Sequence, residues 1–340
     1  MKDDSAYFLK DFAVIKPSKK SPYVRRLVFL SIVMICAFYI CSICMQQKRT
    51  KLSKLFTVEI FNQFCNTSGI DELETSYVHY PNPKTFDRQE CACNPVRYFA
   101  ILSMQRSGSG WFETLLNSHI NVSSNGEIFG QKSRRTNVSA IEKTLDTVYN
   151  LDWLSSASKN ECNAAVGFKW MLNQGVMEHH QGIVDYFNRN GVHAVFLLRK
   201  NLLRRMVSVL ANSHDKSIKT LNGIHKSHVH SSNEAEILAR YKPLINTSSL
   251  LYELSSVSGR TSRVIEYFNT TRHIVLYYED IVQNKTKLNE VQEFLRLPYR
   301  ELRSSQIKIH TGSLSKQIQN WKEVQNLLAG TKFESFLHQD

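Results

Sequence analysis

The 340-residue chain has little of what breaks or repeats a structure. Its 7 Pro and 13 Gly exclude collagen-like and low-complexity architectures. No segment recurs at a fixed period, which excludes a solenoid or a propeller. Acidic residues are also short, with 30 Asp and Glu against 43 Lys and Arg, a net charge of +13. That balance suits an anionic partner such as a nucleotide, an acidic glycan or a membrane surface. Missing motifs narrow the chemistry further. There is no D-x-D sequence, the metal–nucleotide signature expected of a glycosyltransferase. There is no G-x-x-x-x-G-K followed by Ser or Thr, so Walker-type ATP or GTP hydrolysis is not expected. Cys91-x-Cys93 is too short for the usual C-x2-C metal pair.

Long hydrophobic runs are equally scarce, and one stands alone. Leu27 to Met45 (LVFLSIVMICAFYICSICM) is 19 residues without a charge. About 20 apolar residues span a bilayer core, so an uncleaved transmembrane signal anchor is expected. Lys16, Lys19, Lys20, Arg25 and Arg26 precede it, while Lys48, Arg49, Lys51 and Lys54 follow. This weak bias favours a cytoplasmic N-terminus, which makes a type II membrane protein. The expected organisation is a cytoplasmic tail over 1–26, the anchor over 27–45, a stem over 46–95 and a lumenal domain over 96–340. Sequons at Asn66, Asn121, Asn137, Asn246, Asn269 and Asn284 fit a glycoprotein. Outside the apolar run lie Cys65, Cys91, Cys93 and Cys162, enough for two disulfide bonds with three possible pairings.

Apolar residues make up 42 % of the chain, ample for a globular core. Short apolar runs read as strands at Tyr98–Met104, Ala165–Met171, His193–Leu198 and His273–Tyr277. Helical patterns follow at Trp111–Asn117, Met177–Phe187, Asn201–Ser213 and Thr286–Leu295. This alternation predicts an α/β fold of three layers with a central parallel sheet. Ligands of such sheets bind beyond the C-terminal strand ends.

After the first strand comes Gln105-Arg106-Ser107-Gly108-Ser109-Gly110-Trp111. A strand, a Gly/Ser loop and a helix form a phosphate cradle. Glycines let backbone amides approach, hydroxyls donate, Arg106 brings charge and the helix N-terminus attracts an anion. A second basic junction follows the third strand, where Arg199, Lys200, Arg204 and Arg205 precede Ser208.

Together these junctions resemble the PAPS-dependent sulfotransferase family, where PAPS is 3′-phosphoadenosine 5′-phosphosulfate. The resemblance is to its Golgi membrane-bound carbohydrate and tyrosylprotein types. It covers most of 96–340 and is similar to plant and nodulation-type sulfotransferases as well. It implies a P-loop-like sulfotransferase domain in which Arg106, Ser107, Gly108, Ser109, Gly110 and Trp111 bind the 5′-phosphosulfate. Arg199 and Ser208 would bind the 3′-phosphate, although their separation is one residue longer than the commonest pattern. Gly110 and Trp111 replace a small hydroxyl and an aliphatic residue. Supporting stretches are Leu115-Leu116-Asn117-Ser118-His119, Asn125-Gly126-Glu127, Tyr277-Tyr278-Glu279-Asp280-Ile281, and Thr311–Ser315 before Ile318–Trp321.

The implied activity is transfer of a sulfuryl group from PAPS to a hydroxyl, most readily on a glycan or glycoprotein in the Golgi lumen. Alternatives are a tyrosylprotein acceptor or an anchored binding protein without catalysis. No metal and no nucleic-acid partner are expected. Arg106 and Lys169 would stabilise charge, and Glu127 would be the general base. Glu113 is the runner-up base, read as a solvated helix carboxylate. His119 reads as structural. His214, His225, His228 and His230 fall in a Ser/Lys-rich stretch that reads as a mobile surface loop at the acceptor rim.

Overall fold

The computed structural model describes residues 22–53, 65, 69–153 and 162–338, with the side chains at 22, 24, 25 and 43–53 excepted. The N-terminal tail before residue 22 and the sequon at Asn66 lie outside the described residues. Two compact units divide the chain at Phe64 and Cys65.

The first unit contains helix α1, Pro22–Ser53. Its apolar side chains from Leu27 to Ile40 are exposed. Among the described residues no helix is long and apolar enough to cross a membrane. The expected span therefore finds no support there; its last three residues, 43–45, lie beyond the described side chains.

The second unit is built on strand β1, Arg97–Ser103. Its run RYFAILS is apolar on both faces, as a central parallel strand requires. Phe99 and Ile101 enter one core layer, while Ala100 and Leu102 enter the other. The chain continues through α2 (Ser109–Asn117), β2 (Val122–Ser124), α3 (Val138–Tyr149), β3 (Ala165–Met171), α4 (His180–Arg189), β4 (Val192–Leu198) and α5 (Leu202–Ile218). Then come α6 (Ser232–Ala239), α7 (Thr247–Tyr267), β5 (His273–Tyr277), α8 (Tyr278–Gln283), α9 (Lys287–Phe294), α10 (Leu314–Gln317) and α11 (Trp321–Leu328).

The sheet order is β2-β3-β1-β4-β5, and every pairing is parallel. The α/β fold with a central parallel sheet is therefore as expected. Strand β3 flanks β1 on one side and β4 on the other, so the chain reverses its winding beside β1. A crevice opens at such a switch point, beyond the C-terminal strand ends. The loop after β1 lies there.

The expected stem, 46–95, does not form one element. Cys65 and residues 69–95 belong to the second unit. A Cys65–Cys93 disulfide bond closes a loop within that segment, and a Cys91–Cys162 bond staples it to the rest of the domain. His79 exchanges two backbone hydrogen bonds with Val96. Glu74 is buried and accepts ion pairs from Arg97 (3.1 Å), Arg272 (2.8 Å) and Arg296 (3.1 Å). These arginines stand at the start of β1, before β5 and after α9.

Burial alone would raise the pKa of Glu74. Hydrogen bonds and charge from Arg296 and Arg272 overcome it and bring the value down to about 2, against an ordinary 4.5. A depressed carboxylate pKa stabilises the fold above the unfolded-state value. That contribution is lost as pH falls from about 4.5 through about 2. Glu74→Gln strands three guanidinium groups together. It is expected to cost on the order of 3 kcal/mol at pH 7 in urea denaturation, and markedly less near pH 2. An equal cost at both pH values would contradict the ion-pair role.

Candidate active site

Between β1 and α2 the chain passes through two left-handed residues, Arg106 (φ 64°) and Gly108 (φ 85°). A Cβ at Gly108 would meet the Tyr278 ring at 2.3 Å, so only glycine fits. A Cβ at Gly110 would meet the imidazole of His228 at 2.4 Å. No side chain caps the N-terminus of α2. Amides at a helix N-terminus are the groups that a capping side chain or an anion satisfies.

A cavity of about 600 Å³ opens against this loop. Six cationic side chains line it: Arg106, Lys169, Arg199, Arg204, Lys216 and Lys308. One carboxylate, Glu127, stands among them. The imbalance selects for a polyanion.

Arg106 joins the two basic junctions. Its Nε donates to Ser208 Oγ at 3.0 Å, and its Nη1 donates to the Ser227 carbonyl at 2.7 Å. Burial and the neighbouring Arg199 charge both make its proton easier to lose than in water. Ser208, nine residues after Arg199, lines the cavity and meets Arg106. Arg199 donates from Nε to Glu279 at 2.9 Å, and its guanidinium lies 4.5 Å from the Tyr278 ring centroid. Glu279 thus aims Arg199, while Tyr278 bridges Arg199 to Gly108. Trp111 meets Tyr278 edge-on at 5.5 Å between centroids.

Lys169 Nζ lies 3.3 Å from Glu127 and 3.5 Å from Glu113. Phe129 stacks on Trp170 at 4.1 Å, which docks the segment carrying Glu127 against β3. Glu127 also accepts from Gln174 Nε2 at 3.0 Å, and 41 % of its side chain is exposed.

Several sequence expectations meet together here and others do not. Arg106, Gly108, Ser109, Gly110, Trp111, Glu127, Lys169, Arg199 and Ser208 all line one cavity. Ser107 does not, being buried at 1 % exposure. Glu113 is not a solvated carboxylate. It is buried, and it accepts from Ser124 Oγ (2.7 Å) and the Gly126 amide (2.8 Å) while facing Lys169. Its role is to fix the loop that presents Glu127. His119 is buried, accepting the Asn121 amide at Nδ1 and facing the Pro298 carbonyl through Nε2. The histidine-rich stretch is not a detached surface loop. His214 stacks on Tyr241, His225 pairs with Asp215 at 2.7 Å, and His228 lines the cavity. Among the described residues no group of three or more His, Cys, Asp or Glu is placed to hold a metal ion.

Tyr278, Lys308 and His310 also line the cavity, Glu279 orients Arg199, and His228 enters from the stretch expected at the acceptor rim. Tyr278 and Glu279 lie inside the quoted Tyr-Tyr-Glu-Asp stretch, which was the available signal.

No family model matches the chain, and no curated protein matches it in sequence. Among solved structures it is similar to a sulfotransferase from Alicyclobacillus acidocaldarius, at 12 % identity and a TM-score of 0.39, over 71 % of this chain and 96 % of that one. It is also similar to the sulfotransferase domain from the curacin biosynthetic pathway, at 15 % identity and a TM-score of 0.30, over 71 % and 88 % of the two chains. Similarity at this level assigns no activity.

Proposed function

We propose that this chain is a PAPS-dependent sulfotransferase acting on a hydroxyl of a glycan. One observation carries the reading. Two junctions nearly a hundred residues apart, each resembling a donor-binding element, share a cation-lined cavity through the Arg106–Ser208 hydrogen bond. The glycines at 108 and 110 let the Tyr278 and His228 rings close directly on the loop that lines this cavity.

In this reading the loop 106–110 and the first amides of α2 hold the 5′-phosphosulfate. Arg199 and Ser208 hold the 3′-phosphate. The acceptor oxygen attacks sulfur, forming the new O–S bond. The S–O bond to the 5′-phosphate breaks, and the phosphate oxygen keeps the electron pair. The acceptor proton passes to Glu127, on the exposed side of the cavity. Lys169 and Arg106 offset the negative charge on the transferring and leaving oxygens. Positioning and charge complementarity supply most of the acceleration, as in phosphoryl transfer. Incubation of the purified chain with radiolabelled PAPS and a panel of glycan and tyrosine-peptide acceptors tests the reading. Label on a glycan hydroxyl is expected. Label on tyrosine alone would move the acceptor class, and no label on any acceptor would count against transfer.

We further propose that the sequence run 27–45 anchors the chain in the Golgi membrane with the domain lumenal. The uncharged run Leu27–Met45 supports this, as do two disulfide bonds suited to an oxidising compartment. The sequon residues Asn137, Asn246, Asn269 and Asn284 are exposed, as glycan attachment requires. After alkaline carbonate extraction the full chain is expected in the membrane pellet, and deletion of 27–45 should release it. Full-length protein in the supernatant would contradict the anchor.

A further inference from the structure

The segment from His225 to His230 is held at almost every residue. His225 Nδ1 meets Asp215 Oδ2 at 2.7 Å, and its Nε2 meets Ser227 Oγ at 3.1 Å. Lys226 pairs with Glu234. The Ser227 carbonyl accepts from Arg106. Val229 is fully buried, and its carbonyl accepts the Ile307 amide at 2.9 Å. His230 Nδ1 meets Ser305 Oγ at 3.0 Å. Within this clamped strap, the His228 imidazole alone has no hydrogen-bond partner among the described residues. It faces the cavity and packs over Gly110, at the first turn of α2.

A side chain in that setting is presented, not merely accommodated. Any residue larger than glycine at 110 would meet the ring. The strap is anchored on both sides of 228, so the ring is aimed at whatever the loop 106–110 holds. We infer that His228 is a catalytic residue of this site, donating a ring N–H to an oxygen of the group being transferred from that loop. This inference rests on the proposed sulfuryl transfer and adds a residue to it.

The charge state fits the role. His228 is exposed to the cavity, and partial desolvation together with the Lys169 and Arg106 charges, with His230 adding to them and Glu127 opposing, holds its pKa below the ordinary 6.5. At neutral pH the imidazole therefore carries one N–H and no charge. A neutral donor supports developing negative charge on sulfuryl oxygens without adding to the repulsion among the cavity cations. No proton leaves His228 in the step. The acceptor proton still goes to Glu127.

The test compares wild type, His228→Ala and His228→Asn in the full chain. The readouts are kcat, KM for PAPS, and calorimetric affinity for PAP, the desulfated product. One lost donor of this kind lowers kcat by about 100- to 1000-fold. PAP lacks the sulfuryl group, so its affinity should stay within about threefold, in keeping with a donor that acts on the transferring group alone. His228→Asn keeps an N–H and should recover at least about tenfold in kcat over His228→Ala. Wild-type kcat in His228→Ala would overturn the inference, as would equal losses in kcat and PAP affinity. An asparagine variant no better than alanine would also overturn it, pointing to proton acceptance instead of donation. A wild-type chain that transfers no sulfuryl group overturns the parent reading, whereas wild-type transfer with an undiminished alanine variant overturns this inference alone.

Discussion

Arg106→Ala is expected to weaken PAP binding by about 100-fold or more. Hydrogen bonds to charged groups contribute about 1.5–3 kcal/mol each, and 1.4 kcal/mol is tenfold in affinity. Arg106 is half-buried beside the Arg199 charge, and its hydrogen bonds go to a hydroxyl and a carbonyl, not to a carboxylate. A cation held this way lacks its counter-ion, and a bound phosphate supplies it. The substitution also frees Ser208 and removes one anchor of the 225–230 strap. Arg106→Lys keeps the charge but not the planar fork, so it should fall between alanine and wild type. Isothermal titration with PAP measures all three. Wild-type affinity in the alanine variant would remove the loop from the binding site.

Glu127→Gln is expected to leave PAP affinity within about threefold and to lower kcat by about 100- to 10,000-fold, the range for a general base. The carboxylate has its Oε1 towards Lys169 and its Oε2 towards Gln174, so glutamine preserves the shape but not the charge. Single-turnover rates with labelled PAPS and an acceptor identified in the screen would measure the effect. Unchanged turnover would clear Glu127 of proton acceptance. Glu113→Gln is a different experiment, because that buried carboxylate holds the Gly126 amide and Ser124. It should lower the unfolding midpoint as well as kcat.

The sheet was legible wherever a strand is buried on both faces. The apolar runs that became β1, β3, β4 and β5 lie within a residue or so of their observed bounds, because a parallel core strand carries its signal in consecutive residues. Strand β2 was missed, since Val122–Ser124 is too short to show a period. Helix α4 starts at His180 instead of Met177 because a π-turn over Leu172–Val176, with Gly175 at φ 91°, intervenes. The long helix α7 was passed over; its buried residues Leu250, Leu254 and Val264 are sparse among Ser and Arg.

In the site, the loop and the Arg199 junction were legible because their chemistry is local in sequence. Glu113 and His228 were not, for the same physical reason in opposite directions. A charged helix residue reads as solvated until Lys169, Ser124 and Gly126 are seen to close on it. A histidine among serines and lysines reads as loop until Asp215, Val229 and Ser305 are seen to pin its neighbours.

In the proposed function the cation-lined cavity beside β1 binds the nucleotide PAP. Isothermal titration of the purified full-length chain with PAP tests it directly. Saturable binding is expected, weakened by raised salt and lost in Arg106→Ala. A folded chain that yields no binding heat and no thermal shift with PAP would contradict the claim and return the Gly/Ser loop to an ordinary turn.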